Sequence, residues 1–227
     1  MSRPRTKLAD RILPDYTKGE EITNMVTHIV GGAFGIVALV LCVVFSAIRH
    51  DPCLVVGSSI YGAALIILYT MSSVYHGLRP NMGKKVMQVL DHCTIYFLIG
   101  GTYTPIVLGP LRAMTPWLGW TIFGIVWGFC ALGCTFTAID IEKYKKLAMA
   151  CYIGIGWIIV IAIKPTIAAV TFEGFLFLLL GGVAYTIGAV LYALGHKARY
   201  MHSIFHVFVL IGTALQFITI FRYCILR

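Results

Sequence analysis

Long hydrophobic runs, separated by short polar or proline-containing breaks, are the main pattern along this chain. A helix needs roughly 20 residues to cross a hydrocarbon core of about 30 Å, and most of these runs reach that length. The runs predict seven transmembrane helices, at residues 22–48, 53–76, 86–109, 116–139, 147–163, 172–194 and 200–225. The predicted fold is therefore all-α, a polytopic membrane protein with seven transmembrane helices.

Each predicted helix is separated from the next by a short break that carries charge, proline or both. The breaks are residues 49–52, 79–85, 110–116, 140–146, 164–165 and 196–199. Short loops join antiparallel neighbours, so we expect the helices to form one bundle.

Composition and charge agree with a lipid environment. Of the 227 residues, 59% are hydrophobic and 12% are charged, whereas about a quarter of the residues in a soluble domain are charged. The net charge of +9 does not indicate nucleic-acid binding, because Lys and Arg lie in short clusters between the hydrophobic runs rather than along one face.

The distribution of Lys and Arg predicts the orientation in the membrane. With seven helices, thirteen of these residues fall on the side of the amino terminus and five on the opposite side. The side richer in Lys and Arg is usually cytoplasmic. We therefore predict a cytoplasmic N-terminal segment at residues 1–21, a single transmembrane domain at residues 22–227, and an external carboxyl terminus.

Several polar or ionisable residues interrupt the hydrophobic runs, and such residues are costly within a membrane unless they have a role. They are Asn24, His28, Ser72, His76, Asp91, His92, His202 and His206. In the predicted topology, odd-numbered helices begin and even-numbered helices end on the cytoplasmic side. These residues are therefore expected to converge on the cytoplasmic half of the bundle.

The spacing of the histidines predicts a metal site. His202 and His206 lie one turn apart on the same helix face, with Cβ atoms roughly 5–6 Å apart, which suits one metal ion. His76 is the candidate third ligand, and three histidines with a fourth position left for water are typical of catalytic zinc. We expect Asp91 to hydrogen-bond the metal-bound water or an imidazole, and Ser72 to steady that water or a polarised carbonyl.

A different interpretation assigns these residues to packing. A histidine in a membrane helix is more often hydrogen-bonded for packing than bound to a metal, and two histidines four residues apart also occur by chance. Asn24 and His28 share that spacing, and we interpret them as a structural network or as groups that support the metal ligands. His92 points about 100° away from Asp91 around the helix, which favours packing.

Four blocks of sequence carry a resemblance to a known family. They are Glu21-x2-Asn24-x3-His28-x2-Gly31, residues 72–76 (SSVYH), Leu90-Asp91-His92 leading to residues 101–105 (GTYTP), and His202-x3-His206. In these blocks the sequence resembles the hemolysin III family, the bacterial branch of the progestin and adipoQ receptor superfamily, which is itself similar to alkaline ceramidases.

The resemblance implies seven helices with a cytoplasmic amino terminus. It also implies zinc held by the matching residues His76, His202 and His206, with Asp91 in contact with the zinc-bound water. Glu21 and Asn24 match the first block, although Glu20 is an alternative match for Glu21.

Several functions are compatible with these residues. The leading hypothesis is a zinc-dependent hydrolase of a lipid-like amide or ester in the cell membrane, with Asp91 as the base. The alternative is a non-enzymatic sensor or regulator of membrane state with structural zinc. Direct pore formation is disfavoured because the sequence has no long amphipathic helix and no polar stripe, and transport ranks below the regulator. The expected partners are the lipid bilayer and a lipid-like molecule.

Overall fold

The structure is a computed structural model that describes residues 5–195 and 198–227. Residues 1–4 of the predicted N-terminal segment and residues 196–197 of the last predicted break lie outside the described residues. The regular structure in the described part of the chain is helical. Seven α-helices longer than one turn follow one another: α1 (Lys18–Ile48), α2 (Pro52–Gly77), α3 (Met82–Ile106), α4 (Pro116–Ile139), α5 (Lys145–Gly156), α6 (Ile163–Leu194) and α7 (Met201–Ile218).

Six helical segments among the described residues are long and apolar enough to cross a membrane. They are Lys18–Ile48, Pro52–Gly77, Met82–Met114, Pro116–Ile139, Lys145–Leu194 and Met201–Ile225. A multi-pass membrane protein is therefore confirmed. The count differs from the predicted seven because α5 and α6 form one helical segment of 50 residues.

Polar capping residues start two helices earlier than the hydrophobic runs predicted. The Thr17 hydroxyl accepts from the backbone N–H of Glu20, whose carboxylate accepts from Thr17 N–H, so α1 begins with a capping box at Lys18 rather than at residue 22. Asn81 accepts from the backbone N–H of Lys84, and α3 begins at Met82 rather than at residue 86. These first turns lie before the hydrophobic runs, which is why hydropathy missed them.

The predicted end of the third helix at residue 109 is wrong. Helical backbone continues from α3 through a π-helical turn, Val107–Leu111, to a last turn at Arg112–Met114. Pro110 has no N–H to donate and its ring displaces the preceding backbone. The wider π turn accommodates this ring, and the distortion falls on Gly109, whose φ of −86° and ψ of −110° are not helical.

The predicted break at residues 164–165 is also wrong. Pro165 lies in the first turn of α6, where the missing N–H costs no hydrogen bond. The helix is interrupted instead at Thr171, with φ 66° and ψ 169°. Trp157 Nε1 donates to Thr186 Oγ1 at 3.1 Å across 29 residues, which a straight helix would separate by about 44 Å. The chain therefore folds back between α5 and the later part of α6.

Close approach of the helices is possible where glycine replaces a larger side chain. A Cβ atom on Gly31 of α1 would lie 2.5 Å from the Tyr69 ring of α2, and one on Gly101 of α3 would lie 2.6 Å from the Ala64 side chain. Small residues at helix interfaces allow such packing in lipid. The Gly31 contact draws α1 against α2 at the level where their buried polar side chains meet.

Candidate metal centre

Three histidines from α2 and α7 converge on one point. Nε2 of His202 lies 3.3 Å from Nε2 of His76 and 3.1 Å from Nε2 of His206. One nitrogen from each ring lies within 4.8 Å of the other two. In a tetrahedral zinc site with Zn–N bonds of about 2.0–2.1 Å, two ligand nitrogens are about 3.3 Å apart. The three rings could therefore hold a single metal ion.

In His76 and His206, the contacts of Nδ1 determine whether Nε2 is free to bind a metal. Nδ1 of His76 lies 2.6 Å from a Glu21 carboxylate oxygen, and Nδ1 of His206 lies 3.3 Å from the carbonyl oxygen of Asn24. Both acceptors favour a proton on Nδ1, so in the neutral rings each Nε2 carries a lone pair that faces His202. A proton on His202 Nε2 can satisfy only one of these lone pairs. A cation between the rings satisfies all three nitrogens, so the donor set fits a metal.

Glu21 is held between His76 and a buried lysine. Lys84 Nζ donates to Glu21 Oε1 and, at 2.9 Å, to the carbonyl oxygen of Leu78. The Lys84 side chain is 3% exposed, and a lysine is rarely so buried unless it is paired. The ion pair fixes the carboxylate that receives the His76 N–H, an arrangement that orients metal-bound histidines.

Asn24 joins α1 to the histidine helix α7. Ser203 Oγ donates to Asn24 Oδ1 at 2.6 Å, and the Asn24 side chain is fully buried. Thr27 Oγ1, one turn further along α1, lies 3.3 Å from Nδ1 of His206. These contacts place the start of α7 against α1, so the two ligands on α7 face His76 on α2.

The two adjacent glutamates have different roles. Glu21 contacts His76, whereas Glu20 Oε1 accepts from the backbone N–H of Tyr200 at 2.7 Å. Tyr200 has a φ of 61° and immediately precedes α7. Glu20 therefore fixes the start of α7, and of the two alternative matches only Glu21 reaches a candidate metal ligand.

A cavity of about 160 Å³ adjoins the histidines. Ser72, Asp91, His28, His202 and His206 all line it, and most of the remaining lining is apolar. Ser72 and Asp91 are 1% and 8% exposed. The structure thus brings the predicted carboxylate and hydroxyl to the same cavity as two of the predicted ligands. His76 is absent from the lining and faces Glu21.

His28 differs from Asn24 in its contacts. Its ring stacks on His206 with centroids 3.6 Å apart and an interplanar angle of 14°. Both ring nitrogens are buried and have no hydrogen-bond partner among the described residues. The ring also lines the cavity, so His28 lies next to a candidate ligand without sharing the hydrogen bonds of Asn24.

His92 has contacts typical of a packing residue. Its Nδ1 lies 2.8 Å from the carbonyl oxygen of Gln88, and its Nε2 lies 3.3 Å from the Tyr192 hydroxyl. Nδ1 must carry the proton to donate to the carbonyl, so Nε2 accepts from Tyr192. Both nitrogens are therefore occupied, and neither belongs to the group of three that could hold a metal.

Sequence reasoning missed Lys84 and also Tyr16, whose ring stacks on His202, and it named Glu20 only as an alternative match for Glu21. Lys84 was counted only as a charge that orients the chain in the membrane. Its position three residues after a helix-capping Asn81 places it in the first turn of α3, and a lysine at that depth needs an acidic partner. The need for an acidic partner is the feature of the sequence that could have identified Lys84. Tyr16 precedes the first hydrophobic run and gave no signal of its own.

Comparisons with known proteins give a consistent family assignment. A family model described as haemolysin-III related matches residues 16–217. Hemolysin-3 homolog of Bacillus subtilis (strain 168) is 36% identical over 210 residues, covering 92% of this chain and 97% of that protein. Hemolysin-3 of Bacillus cereus is 37% identical over 204 residues, covering 90% and 91%.

A more distant relative is human. Monocyte to macrophage differentiation factor of Homo sapiens is 28% identical over 222 residues, covering 90% of this chain and 84% of that protein. No solved structure matches the chain with significance. The family match spans all four sequence blocks and the three converging histidines, and it confirms the resemblance: the chain belongs to the haemolysin-III-related family.

Proposed function

We propose that the protein is a zinc-dependent hydrolase that cleaves a lipid-like amide or ester within the cell membrane. The observation that supports it most directly is the meeting of three imidazole Nε2 atoms beside a cavity lined by Asp91 and Ser72. Three histidines leave a fourth position of a tetrahedral zinc free, as in catalytic rather than structural sites.

The proposal includes seven membrane spans, with the amino terminus in the cytoplasm and the carboxyl terminus outside. The contact between Trp157 and Thr186 supports counting α5 and α6 as two spans. The excess of Lys and Arg on the side of the amino terminus supports the orientation. In this arrangement the histidines lie toward the inner leaflet.

In the proposed reaction, zinc, Asp91 and Ser72 would each have a separate role. Bound zinc would supply a Lewis acid that polarises the carbonyl and makes water more acidic. Asp91 would take a proton from a water molecule while the oxygen of that water bonds to the carbonyl carbon. Ser72 Oγ–H, which has no partner among the described residues, would donate to the carbonyl oxygen. Asp91 would then return the proton to the departing nitrogen or oxygen when that bond breaks.

The cavity lining favours a substrate with a hydrocarbon part. Apolar side chains such as Leu98, Ile106 and Val209 line much of the cavity. An acyl chain would replace water there at a gain of roughly 0.8 kcal/mol for each buried CH₂. The amide or ester would then lie beside Asp91, at the polar end.

Substitution of Asp91 tests the hydrolase. The purified protein would be assayed against fluorescent fatty-acid amides and esters in detergent, with zinc content measured by elemental analysis. We expect Asp91→Asn to lower turnover by at least about 100-fold while zinc stays stoichiometric, because Asp91 is not among the three ligands. Asp51→Asn, a carboxylate at the opposite end of the bundle, is the matched control and should leave turnover unchanged.

A non-enzymatic regulator is the second candidate. The network around His76 and His206 joins α1, α2, α3 and α7, so zinc there would also hold the bundle together. Stoichiometric zinc with no turnover of any amide or ester, and unfolding on chelation, would favour the regulator over the hydrolase.

A further inference from the structure

The three candidate ligands are not held in the same way. His76 and His206 each have an acceptor at Nδ1, but His202 Nδ1 is buried and has no hydrogen-bond partner among the described residues. Histidines that bind metals almost always donate their second N–H, and this bond fixes the ring. The orientation of His202 must therefore come from packing.

Aromatic rings surround His202. Tyr16 stacks on it with centroids 5.1 Å apart and an interplanar angle of 24°, the flattest of these contacts. Tyr192 and Phe205 lie tilted, each with its centroid 5.5 Å from that of His202. Tyr16 therefore covers a face of the imidazole, and such a stacked pair is favourable beyond the area it buries.

Tyr16 belongs to a strap, residues 5–17, which runs across the histidine end of the bundle before α1. The strap begins at the loop after α4, where Thr6 N–H donates to the Asp140 carboxylate at 2.6 Å and Arg5 Nε donates to the Ile139 carbonyl at 2.9 Å. Lys85 Nζ donates to the carbonyl of Ala9 further along. The strap therefore has contacts with two separate parts of the fold before it reaches His202.

The far end of the strap is fixed to the start of α7. Glu20 accepts from the Thr17 N–H at 2.9 Å and from the Tyr200 N–H at 2.7 Å. Thr17 directly follows Tyr16, and Tyr200 lies two residues before His202. One carboxylate thus sets the distance between the two rings that stack.

We propose that Tyr16 is a positioning residue, which holds the His202 ring in the plane needed to bind the metal. The inference rests on the metal site proposed above. It assigns the strap a role in keeping the metal bound, because displacement of the strap removes the flattest ring contact that His202 makes among the described residues. Tyr192 and Phe205 remain in place, so the effect of losing Tyr16 is partial.

Metal release tests this role without an activity assay. Full-length protein loaded with zinc would be mixed with an excess of a chromophoric chelator, and the release rate measured. We expect Tyr16→Leu to release zinc about three- to tenfold faster, the range that corresponds to one aromatic contact, and Tyr16→Phe to match the wild type. Cobalt-loaded Tyr16→Leu should also show altered visible bands, because the ligand geometry relaxes.

Tyr144→Leu is the matched control. Tyr144 is a half-buried tyrosine that packs on Phe136 with centroids 5.1 Å apart, and its loss should leave zinc release unchanged. Equal release rates for Tyr16→Leu, Tyr144→Leu and the wild type would overturn the role of Tyr16. If Tyr16→Leu loses helix content, Tyr16→Met replaces it in the same assay. A wild type without zinc would instead contradict the metal site itself.

Discussion

The two ends of the helical bundle use their polar residues differently. At the opposite end from the histidines, Arg49 Nη1 donates to the carbonyl of Ile225 at 2.8 Å, and Arg112 Nε donates to the carbonyl of Leu108 at 2.7 Å. At the histidine end, a network of side chains also joins different helices, as Glu21 of α1 does with His76 of α2 and Lys84 of α3.

The difference follows from backbone geometry. The π-helical turns Val107–Leu111 and Thr219–Ile225 lie at the opposite end, and irregular helix ends leave carbonyls that need donors. The arginines supply them, so the polar groups there support structure. At the histidine end, ring nitrogens of His28 and His202 remain without partners among the described residues. The three histidines that could hold a metal ion also lie at this end, so it is the end that carries the candidate site.

Removal of one candidate ligand should have the largest effect, which is the loss of zinc from the histidine end. We expect His202→Ala to abolish stoichiometric zinc, a loss greater than the roughly 10- to 100-fold drop in affinity from loss of a supporting partner. Elemental analysis of detergent-purified protein measures this. His50→Ala, in the loop between α1 and α2 at the opposite end, should retain zinc. Equal zinc in both variants would show that the histidine end holds no metal.

Loss of the carboxylate that contacts His76 should have an intermediate effect on zinc affinity. We expect Glu21→Gln to weaken zinc affinity about 10- to 100-fold, because the amide no longer carries the charge that stabilises a proton on His76 Nδ1. It also leaves Lys84 buried without its ion pair, so thermal stability should fall together with affinity. Competition with a chelator of known affinity measures the first effect, and a melting curve the second.

Glu20→Gln is the control that separates the two glutamates. Tyr200 and Thr17 donate to different oxygens of Glu20, so the single amide oxygen of Gln keeps one of the two bonds. Neither bond involves a candidate metal ligand, so zinc affinity should change less than in Glu21→Gln. A larger loss of affinity in Glu20→Gln would mean that the start of α7, rather than the carboxylate beside His76, controls the site.

The sequence predicted the helical fold and the convergence of the histidines for a clear physical reason. Hydrophobic runs of sufficient length have few alternatives in lipid, and the spacing of His202 and His206 fixes their common face. The membrane topology then placed His76 at the same depth. The family resemblance pointed to the same residues, and the family comparison confirmed membership of the family.

Other features depend on contacts that hydropathy does not contain. The π turn at Val107–Leu111 depends on how Pro110 is accommodated, and the reversal at Thr171 depends on a single backbone conformation. Tyr16 lies in a polar segment whose path is set by long-range bonds such as the one from Thr6 to Asp140. Periodicity describes one helix at a time, so it could not predict a strap that crosses several.

The smallest expected effect comes from the opposite end. Arg49→Met removes the donor to the carbonyl of Ile225, and Arg49 is an exposed side chain, so water can replace much of the bond. We expect a loss of about 1 kcal/mol in the free energy of unfolding, seen as a slightly lower midpoint of thermal unfolding, with zinc content and release rate unchanged. The reason is separation: α1 has 31 residues, so Arg49 lies roughly 40 Å from the histidine end. If zinc release accelerated in Arg49→Met, the two ends would be coupled through α1 or α7, and the division between a structural end and a functional end would be wrong.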